Sequence, residues 1–141
     1  VYGTVQVTQD LDVCCRFSEE NLRRIQAAVA DLHPAHRMRP DLPFELAPEI
    51  CASLKNLYLK TDLGILDCLG EIKGVGNYDL VYKHSVVAEL PLGEFRVLDL
   101  DALIVAKQAM NREHDQIAIK KLRALQERNK LDNSNAPPST P

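Results

Sequence analysis

The sequence lacks a strong charge of either sign and any long run of apolar residues. Seventeen Lys and Arg residues stand against twenty Asp and Glu among 141 residues, a net charge of −3. That balance gives no overall attraction to nucleic acid or to an anionic membrane. No apolar stretch approaches the roughly 20 residues that span a bilayer, and no signal peptide is recognisable. We therefore expect a cytoplasmic protein with no membrane partner.

Cysteine is scarce, and its spacing fits no common site. The cysteines are Cys14, Cys15, Cys51 and Cys68, and none of them forms a C-x-x-C pair. Neighbouring Cys14 and Cys15 would point to opposite faces of a strand. We therefore expect reduced thiols in the core rather than a zinc site or a disulfide framework.

A dinucleotide fingerprint and internal repeats are also missing. Gly74-Val75-Gly76 lacks the third glycine and the following βαβ unit that such a fingerprint requires. The composition, 45% hydrophobic and 26% charged, is that of one globular domain able to bury its own core. We assign this domain to residues 1–130. Residues 131–141, rich in Asn, Ser and Pro, are expected to form a disordered tail.

Apolar periodicity and turn residues predict the elements of this domain. Strands are expected at about 9–16, 56–61, 65–70, 85–90 and 95–98, and helices at about 18–33, 77–84, 100–110 and 113–129. Ser18, Asn77 and Asp99 are the expected N-caps. The buried stripes are expected to be Leu22, Ile25, Val29 and Leu32 in the first helix and Ile117, Leu122 and Leu125 in the last. This order predicts a single α+β domain with a mixed sheet and packed helices.

The proline-rich stretch between residues 34 and 48 predicts an irregular surface loop. It carries His36, Arg37 and Arg39. These side chains could contact an anionic ligand, but the residue types alone favour a solvated loop.

Asp10 and Asp12 lie two residues apart in the first predicted strand, so they should project from the same face. Leu11 and Val13 would then face the core. Two neighbouring carboxylates repel each other unless a cation lies between them, and hard oxygen ligands favour Mg²⁺. Taken alone, the pair is more often a solvated one on an exposed strand. Asp67 is a further carboxylate, within an apolar strand, where an unpaired charge is costly to bury. Asp67 therefore either faces a polar pocket or lies at a sheet edge, and we favour the pocket.

Three stretches of the sequence resemble the minimal nucleotidyltransferases of the polymerase-beta-like superfamily, in particular their toxin and abortive-infection types. Gly3-x-x-Gln6-x-Thr8-x-Asp10-Leu11-Asp12 is similar to their G-x-x-R-x-T-x-D-h-D motif. The segment from Thr61 to Ile72 is similar to their T-D-L-G-x-L-D-L-L-G-E-I hairpin. The segment from Arg96 to Lys107, followed by Arg112 and Asp115, is similar to their R-V-L-x-L-x-x-L-I-x-x-K…R-x-K-D pattern.

The resemblance implies a nucleotidyltransferase-like α+β fold and an activity that requires Mg²⁺ or Mn²⁺. It implies that Asp10, Asp12 and Asp67 bind the metal, and that Asp67 also acts as the general base. It implies that Lys107, with Thr8 and Arg112, contacts the nucleoside triphosphate. Gln6 and His114 stand where the family has arginine and lysine. The family's G-G or G-S turn would precede Val1, so the fold is expected to be N-terminally truncated.

Two functions follow as alternatives. The first is transfer of a nucleoside monophosphate to an acceptor, which could be RNA, protein or a small molecule, in a toxin–antitoxin or abortive-infection setting. The second is a catalytically impaired relative that acts as a binding module. In that case an uncovered sheet edge would favour a homodimer.

Overall fold

The computed structural model describes residues 10–135. These residues form a mixed α and β structure, as the sequence predicts, and divide into two compact units. The sheet unit comprises residues 10–72 and 76–81, and the helix unit comprises residues 73–75 and 82–135. Thr8 and residues 136–141 lie outside the described residues.

The sheet unit is built on four strands in a mixed sheet. The strands are β1 (Asp10–Cys14), β2 (Ala35–His36), β3 (Asn56–Thr61) and β4 (Gly64–Leu69), in the order β1-β4-β3-β2. β1 runs parallel to β4, whereas β3 runs antiparallel to both β4 and β2. The helices α1 (Glu19–Val29) and α2 (Pro48–Ser53) belong to this unit, as does the small pair β5 (Glu71–Ile72) and β6 (Gly76–Asn77). The predicted β3–β4 hairpin is confirmed.

Helix α1 begins and packs as its sequence predicts. The Ser18 hydroxyl accepts a hydrogen bond from the Asn21 amide at 3.2 Å, which satisfies one of the open N–H groups of the first turn. Leu22 is fully buried and Val29 is 6% exposed. The helix gives way to a 3₁₀ turn at Ala30–Leu32 and ends at His33, whose φ of 48° is left-handed. Leu22, Ile25 and Val29 of the predicted apolar stripe therefore face the core, whereas Leu32 lies in the 3₁₀ turn.

One face of the sheet packs against these helices to form the core. Its buried residues are Leu22, Val29, Leu46, Cys51, Leu57, Leu59 and Cys68. Burying a leucine side chain of this kind stabilises the fold by about 1.5–3 kcal/mol. Val13 packs against this cluster, and Leu11 projects from the same face, but Leu11 is 60% exposed, so it is not part of the core as predicted. The cluster covers the second half of β1, and Leu11 lies near the beginning of that strand.

The stretch between residues 34 and 48 is more ordered than its prolines suggest. β2 pairs with β3 through Ala35 opposite Lys60 and His36 opposite Leu59. α2 then begins at Pro48 and buries Cys51. Proline suits a first helical turn because it has no N–H group that would be left without a partner there. The prediction of an irregular loop is confirmed for residues 37–47 and wrong for Ala35–His36, because local turn signals do not show that a strand elsewhere in the chain offers a partner.

The helix unit contains a β-hairpin and two helices. The hairpin joins β7 (Ser85–Leu90) to β8 (Gly93–Leu98), and it precedes α4 (Leu100–Met110) and α5 (Glu113–Ser134). The short helix α3 (Tyr78–Lys83) begins in the sheet unit and ends in this one. Asp99 caps α4 as predicted, accepting a hydrogen bond from the Ala102 amide at 2.7 Å. No helix within residues 10–135 combines the length and apolar composition needed to cross a bilayer.

Helix α5 departs from the sequence prediction at two places. Leu122 is buried as expected, but Ile117 is 55% exposed, and the neighbouring Ala118 is buried instead. Neighbouring residues of a helix point about 100° apart. In a helix with a broad polar surface, the spacing of apolar residues alone does not decide which of the two neighbours is buried. The helix also continues to Ser134, into the stretch expected to be a disordered tail, and the Asn135 amide still bonds to the Leu131 carbonyl.

Candidate active site

The parallel pairing of β1 with β4 brings the predicted carboxylates to one face of the sheet. Asp12 is the register partner of Asp67, and Asp10 is the partner of Ile65. Neighbouring strands lie about 4.8 Å apart, and register partners project from the same face. Asp10, Asp12 and Asp67 therefore share the face opposite the core.

The same row of residues continues across the sheet. Tyr58 of β3 is the register partner of Asp67, and the Arg37 amide donates to the Tyr58 carbonyl at 2.9 Å. The order across the sheet is thus Asp12, Asp67, Tyr58 and Arg37, which we call the polar row. The Arg37 guanidinium lies over the Tyr58 ring, 5.3 Å from its centroid, and its Nη2 donates to Asp67 Oδ2 at 3.0 Å. Arg37 therefore reaches across one strand to pair with a carboxylate on the next.

Asp67 lies in surroundings that do not favour its charged form. Its side chain is only 14% exposed. Burial raises the pKa of Asp67, and the nearby charges of Asp12 and Asp10 raise it further, while the Arg37 charge opposes the shift. Because the pKa is raised despite the ion pair, the site would be stabilised by more positive charge.

The Arg37–Asp67 pair leaves two polar atoms unsatisfied. Asp67 Oδ1 and Arg37 Nε are both buried, and neither has a hydrogen-bond partner in the part of the chain that the structure describes. An unsatisfied buried polar group costs about 1–3 kcal/mol. One of these atoms accepts and the other donates, so the pair presents one buried acceptor and one buried donor that are both open.

The polar row fits a divalent cation in ligand type and charge. Its carboxylate oxygens are the ligands that Mg²⁺ and Mn²⁺ prefer, and Asp67 Oδ1 is a buried oxygen with no hydrogen-bond partner among the described residues, which a cation or a donor would satisfy. Within residues 10–135, no group of three or more His, Cys, Asp or Glu side chains is already arranged around a metal position. Asp10 and Asp12 are exposed on the same face as Asp67.

Lys107 and Arg112, two of the predicted nucleotide contacts, belong to the helix unit, where they pair with an aspartate. Asp115 is fully buried in the first turn of α5. Arg112 Nε donates to its Oδ2 at 2.7 Å, and Lys107 Nζ lies 3.4 Å from its Oδ1. The hydrogen bonds from Arg112 outweigh the effect of burial, and together with the Lys107 charge they lower the pKa of Asp115 to about 2. Lys107 and Arg112 therefore stabilise a buried carboxylate, and their contact with a nucleotide stays a prediction.

Tyr58 is a site residue that sequence reasoning missed, and Arg37 was named there only as a possible anion contact in a loop expected to be solvated. The signal for Arg37 was present, because a carboxylate in an apolar strand needs a cation and the preceding loop carries two arginines. Which of the two arginines pairs with Asp67 depends on the pairing of β2 with β3, and the sequence alone does not show that pairing. Arg39, in contrast, pairs with exposed Asp41.

Comparison of the chain with protein-family models, with curated proteins and with solved structures gives no match.

Proposed function

We propose that this protein is a divalent-cation-dependent nucleotidyltransferase, which transfers a nucleoside monophosphate from a nucleoside triphosphate to an acceptor hydroxyl. The proposal rests on one observation above the others. A parallel strand pair carries three carboxylates on one face, and the most buried of them has an oxygen with no partner among the described residues.

In this proposal Asp10, Asp12 and Asp67 hold Mg²⁺ or Mn²⁺. The metal, when bound, neutralises charge on the phosphates of the nucleotide. Asp67 accepts the proton of the attacking hydroxyl, a role that suits a carboxylate whose pKa is raised by burial. Lys107 is proposed as a contact of the triphosphate on the resemblance alone, since its described partner is Asp115. Thr8 and Arg112 remain proposed nucleotide contacts on the resemblance alone.

A transfer assay tests the proposal directly. The protein is incubated with Mn²⁺ or Mg²⁺ and each α-labelled nucleoside triphosphate, alone and with RNA, with acceptor proteins and with small hydroxyl compounds. We expect label to be transferred to at least one acceptor class. Loss of transfer in Asp12→Asn, with transfer intact in Asp41→Asn, would assign the activity to the polar row, because Asp41 is an exposed aspartate that pairs with Arg39.

Two results together would contradict the proposal. One is the absence of transfer with every nucleotide and acceptor class at micromolar protein. The other is the absence of any metal-dependent binding of a non-hydrolysable nucleoside triphosphate, measured by calorimetry. Binding without transfer would instead favour a protein that has kept the nucleotide site and lost the reaction.

A non-catalytic module that forms a homodimer is the second candidate, and one observation favours it. The β7–β8 hairpin exposes large apolar side chains on one face, namely Val86, Leu90 and Phe95, and Leu92 at its turn. Exposed apolar groups of this kind mark surfaces that associate. Sedimentation equilibrium of the full chain tests this candidate, with Leu92→Asp and Phe95→Glu as variants. A dimer that these substitutions dissociate would support it, whereas a monomer at all concentrations would contradict it.

A further inference from the structure

Arg37 is held in a position that an ion pair alone does not explain. Its guanidinium is supported by the Tyr58 ring on one side and by Asp67 Oδ2 at its tip. Its Nε is nevertheless buried and without a hydrogen-bond partner among residues 10–135. A guanidinium has five N–H donors in a fixed planar fork, and carboxylates and phosphates match two of them at once. Here Asp67 is bound through Nη2 alone, and the Nε donor is left open.

The open donor and the open acceptor belong to two groups that one hydrogen bond joins. Nε is two covalent bonds from Nη2, and Asp67 Oδ1 is two covalent bonds from Oδ2, so both open atoms adjoin the same hydrogen bond. Arg37 Nε requires an acceptor, while Asp67 Oδ1 requires a cation or a donor. A phosphate group with a bound metal ion supplies both, because its anionic oxygen suits the guanidinium and its metal suits the carboxylate.

We propose that Arg37 binds an anionic phosphate oxygen of the substrate, on the side of Asp67 opposite Asp12. This inference rests on the proposed function, since it takes the ligand to be a nucleoside triphosphate with its metal. It assigns to the β2 end of the polar row a role that is separate from metal binding. Asp10, Asp12 and Asp67 hold the cation, and Arg37 holds the phosphate that the cation accompanies.

Arg39 is a matched control for Arg37, because the inference gives a phosphate contact to Arg37 alone. Both arginines lie in the segment after β2, and each pairs with an aspartate. The Arg39 side chain is 61% exposed and its partner Asp41 is 62% exposed. The Arg37 side chain is 32% exposed and its partner is 14% exposed. Arg39→Gln therefore removes the same chemical group from a solvated position.

Calorimetry with two probes, non-hydrolysable Mg–ATP and metal-free inorganic tripolyphosphate, tests the inference. Wild type and Arg39→Gln should bind both probes. Arg37→Gln should bind each of them about tenfold to hundredfold more weakly, as expected for loss of a hydrogen bond to a charged group. Arg37→Lys should recover part of this loss, because it keeps the charge but not the planar fork. Thermal unfolding of each variant shows whether it is folded under the binding conditions.

The outcomes separate this inference from the proposed function. Tripolyphosphate binding that requires Arg37, without any nucleotide transfer, would support the inference and overturn the function. Transfer that continues in Arg37→Gln with an unchanged KM would support the function and overturn the inference. Equal binding of both probes by Arg37→Gln and wild type, or no binding of either probe by wild type, would also overturn it. In that case a buried water molecule between Nε and Oδ1 would satisfy both atoms.

Discussion

Asp115 is a fully buried aspartate and Asp67 is a partly buried one, each with an arginine partner, and they differ in how completely their oxygens are hydrogen-bonded. Asp115 lies in the helix unit and is bound through both oxygens: Oδ2 by Arg112 Nε at 2.7 Å, and Oδ1 by Arg112 Nη2 at 3.3 Å. Asp67 lies in the sheet unit and is bound through one oxygen, by Arg37 at 3.0 Å. Its other oxygen has no partner among the described residues.

The pKa of each aspartate records this difference. Hydrogen bonds from Arg112 lower the pKa of Asp115 to about 2, although the carboxylate is buried. Burial raises the pKa of Asp67, although an arginine is bound to it. A buried carboxylate whose hydrogen bonds are complete stabilises its fold, whereas an incompletely bonded one is kept at a cost that a ligand can offset. We therefore interpret Asp115 as structural and Asp67 as part of a binding site.

Neutralising each aspartate in turn gives the largest expected contrast. Asp115→Asn should lower the free energy of unfolding by about 3 kcal/mol, because it breaks a buried and fully bonded ion pair. Asp67→Asn should leave the protein at least as stable as wild type, because it removes a charge that the folded state disfavours. Urea denaturation at neutral pH measures both values, with exposed Asp41→Asn as the control, which should change stability by less than about 0.5 kcal/mol.

Equal destabilisation by Asp67→Asn and Asp115→Asn would remove the distinction between the two sites. Asp67 would then be a structural carboxylate like Asp115, and the polar row would lose its main support as a binding site.

The same two variants should differ in metal affinity, with the larger loss now in Asp67→Asn rather than in Asp115→Asn. Asp67→Asn should weaken Mn²⁺ binding by about a hundredfold or more, since loss of a direct ligand exceeds the 10-fold to 100-fold effect of losing an outer partner. Asp115→Asn should bind Mn²⁺ within about twofold of wild type, because its carboxylate is already bonded within the helix unit. Electron paramagnetic resonance of free Mn²⁺ in a titration measures both affinities. Unchanged Mn²⁺ binding in Asp67→Asn would show that the carboxylates of the polar row do not hold the cation.

The pH dependence of stability should isolate the contribution of Asp115. Its pKa is lowered in the folded state, to about 2, so the unfolded chain binds the proton more readily. The stabilisation is therefore fully present above the unfolded pKa, near 4, and is lost as the pH falls toward 2. We expect the stability difference between wild type and Asp115→Asn to be constant from pH 7 to pH 5 and to shrink between pH 4 and pH 2. A difference that stays constant down to pH 2 would contradict the role given to the Arg112 hydrogen bonds.

The sequence allowed the carboxylates of the sheet unit to be predicted, because their positions follow from local patterns. Asp10 and Asp12 share a face through the two-residue period of a strand, and the β3–β4 hairpin is marked by alternating residues around Asp62-Leu63. The exposure of Leu11 was not predictable in the same way, because burial depends on which helix covers the strand.

Partners that come from distant parts of the chain could not be predicted. Arg37 and Asp67 are thirty residues apart, and they meet only because β2 pairs with β3 in one particular register. Arg112 and Asp115 are three residues apart, and they meet within a single helical turn. Even there, the sequence suggested a nucleotide contact for Arg112. That Asp115 is fully buried, and therefore needs both cations beside it, depends on how α4 and α5 pack.

The smallest expected effect on stability comes from the contact between the Arg37 guanidinium and the Tyr58 ring. Arg112 reaches Asp115 along its own helix, whereas Arg37 must extend over the Tyr58 ring to reach the next strand. Cation–π contact at such partly exposed sites contributes about 0.5–1 kcal/mol. Tyr58→Leu should therefore lower stability by about that amount more than Tyr58→Phe, which keeps the aromatic face. In a double-mutant cycle with Arg37→Gln, the extra loss should disappear, because the cation is gone. A loss that persists without Arg37 would assign Tyr58 to packing, and the position of Arg37 would then depend on Asp67 alone.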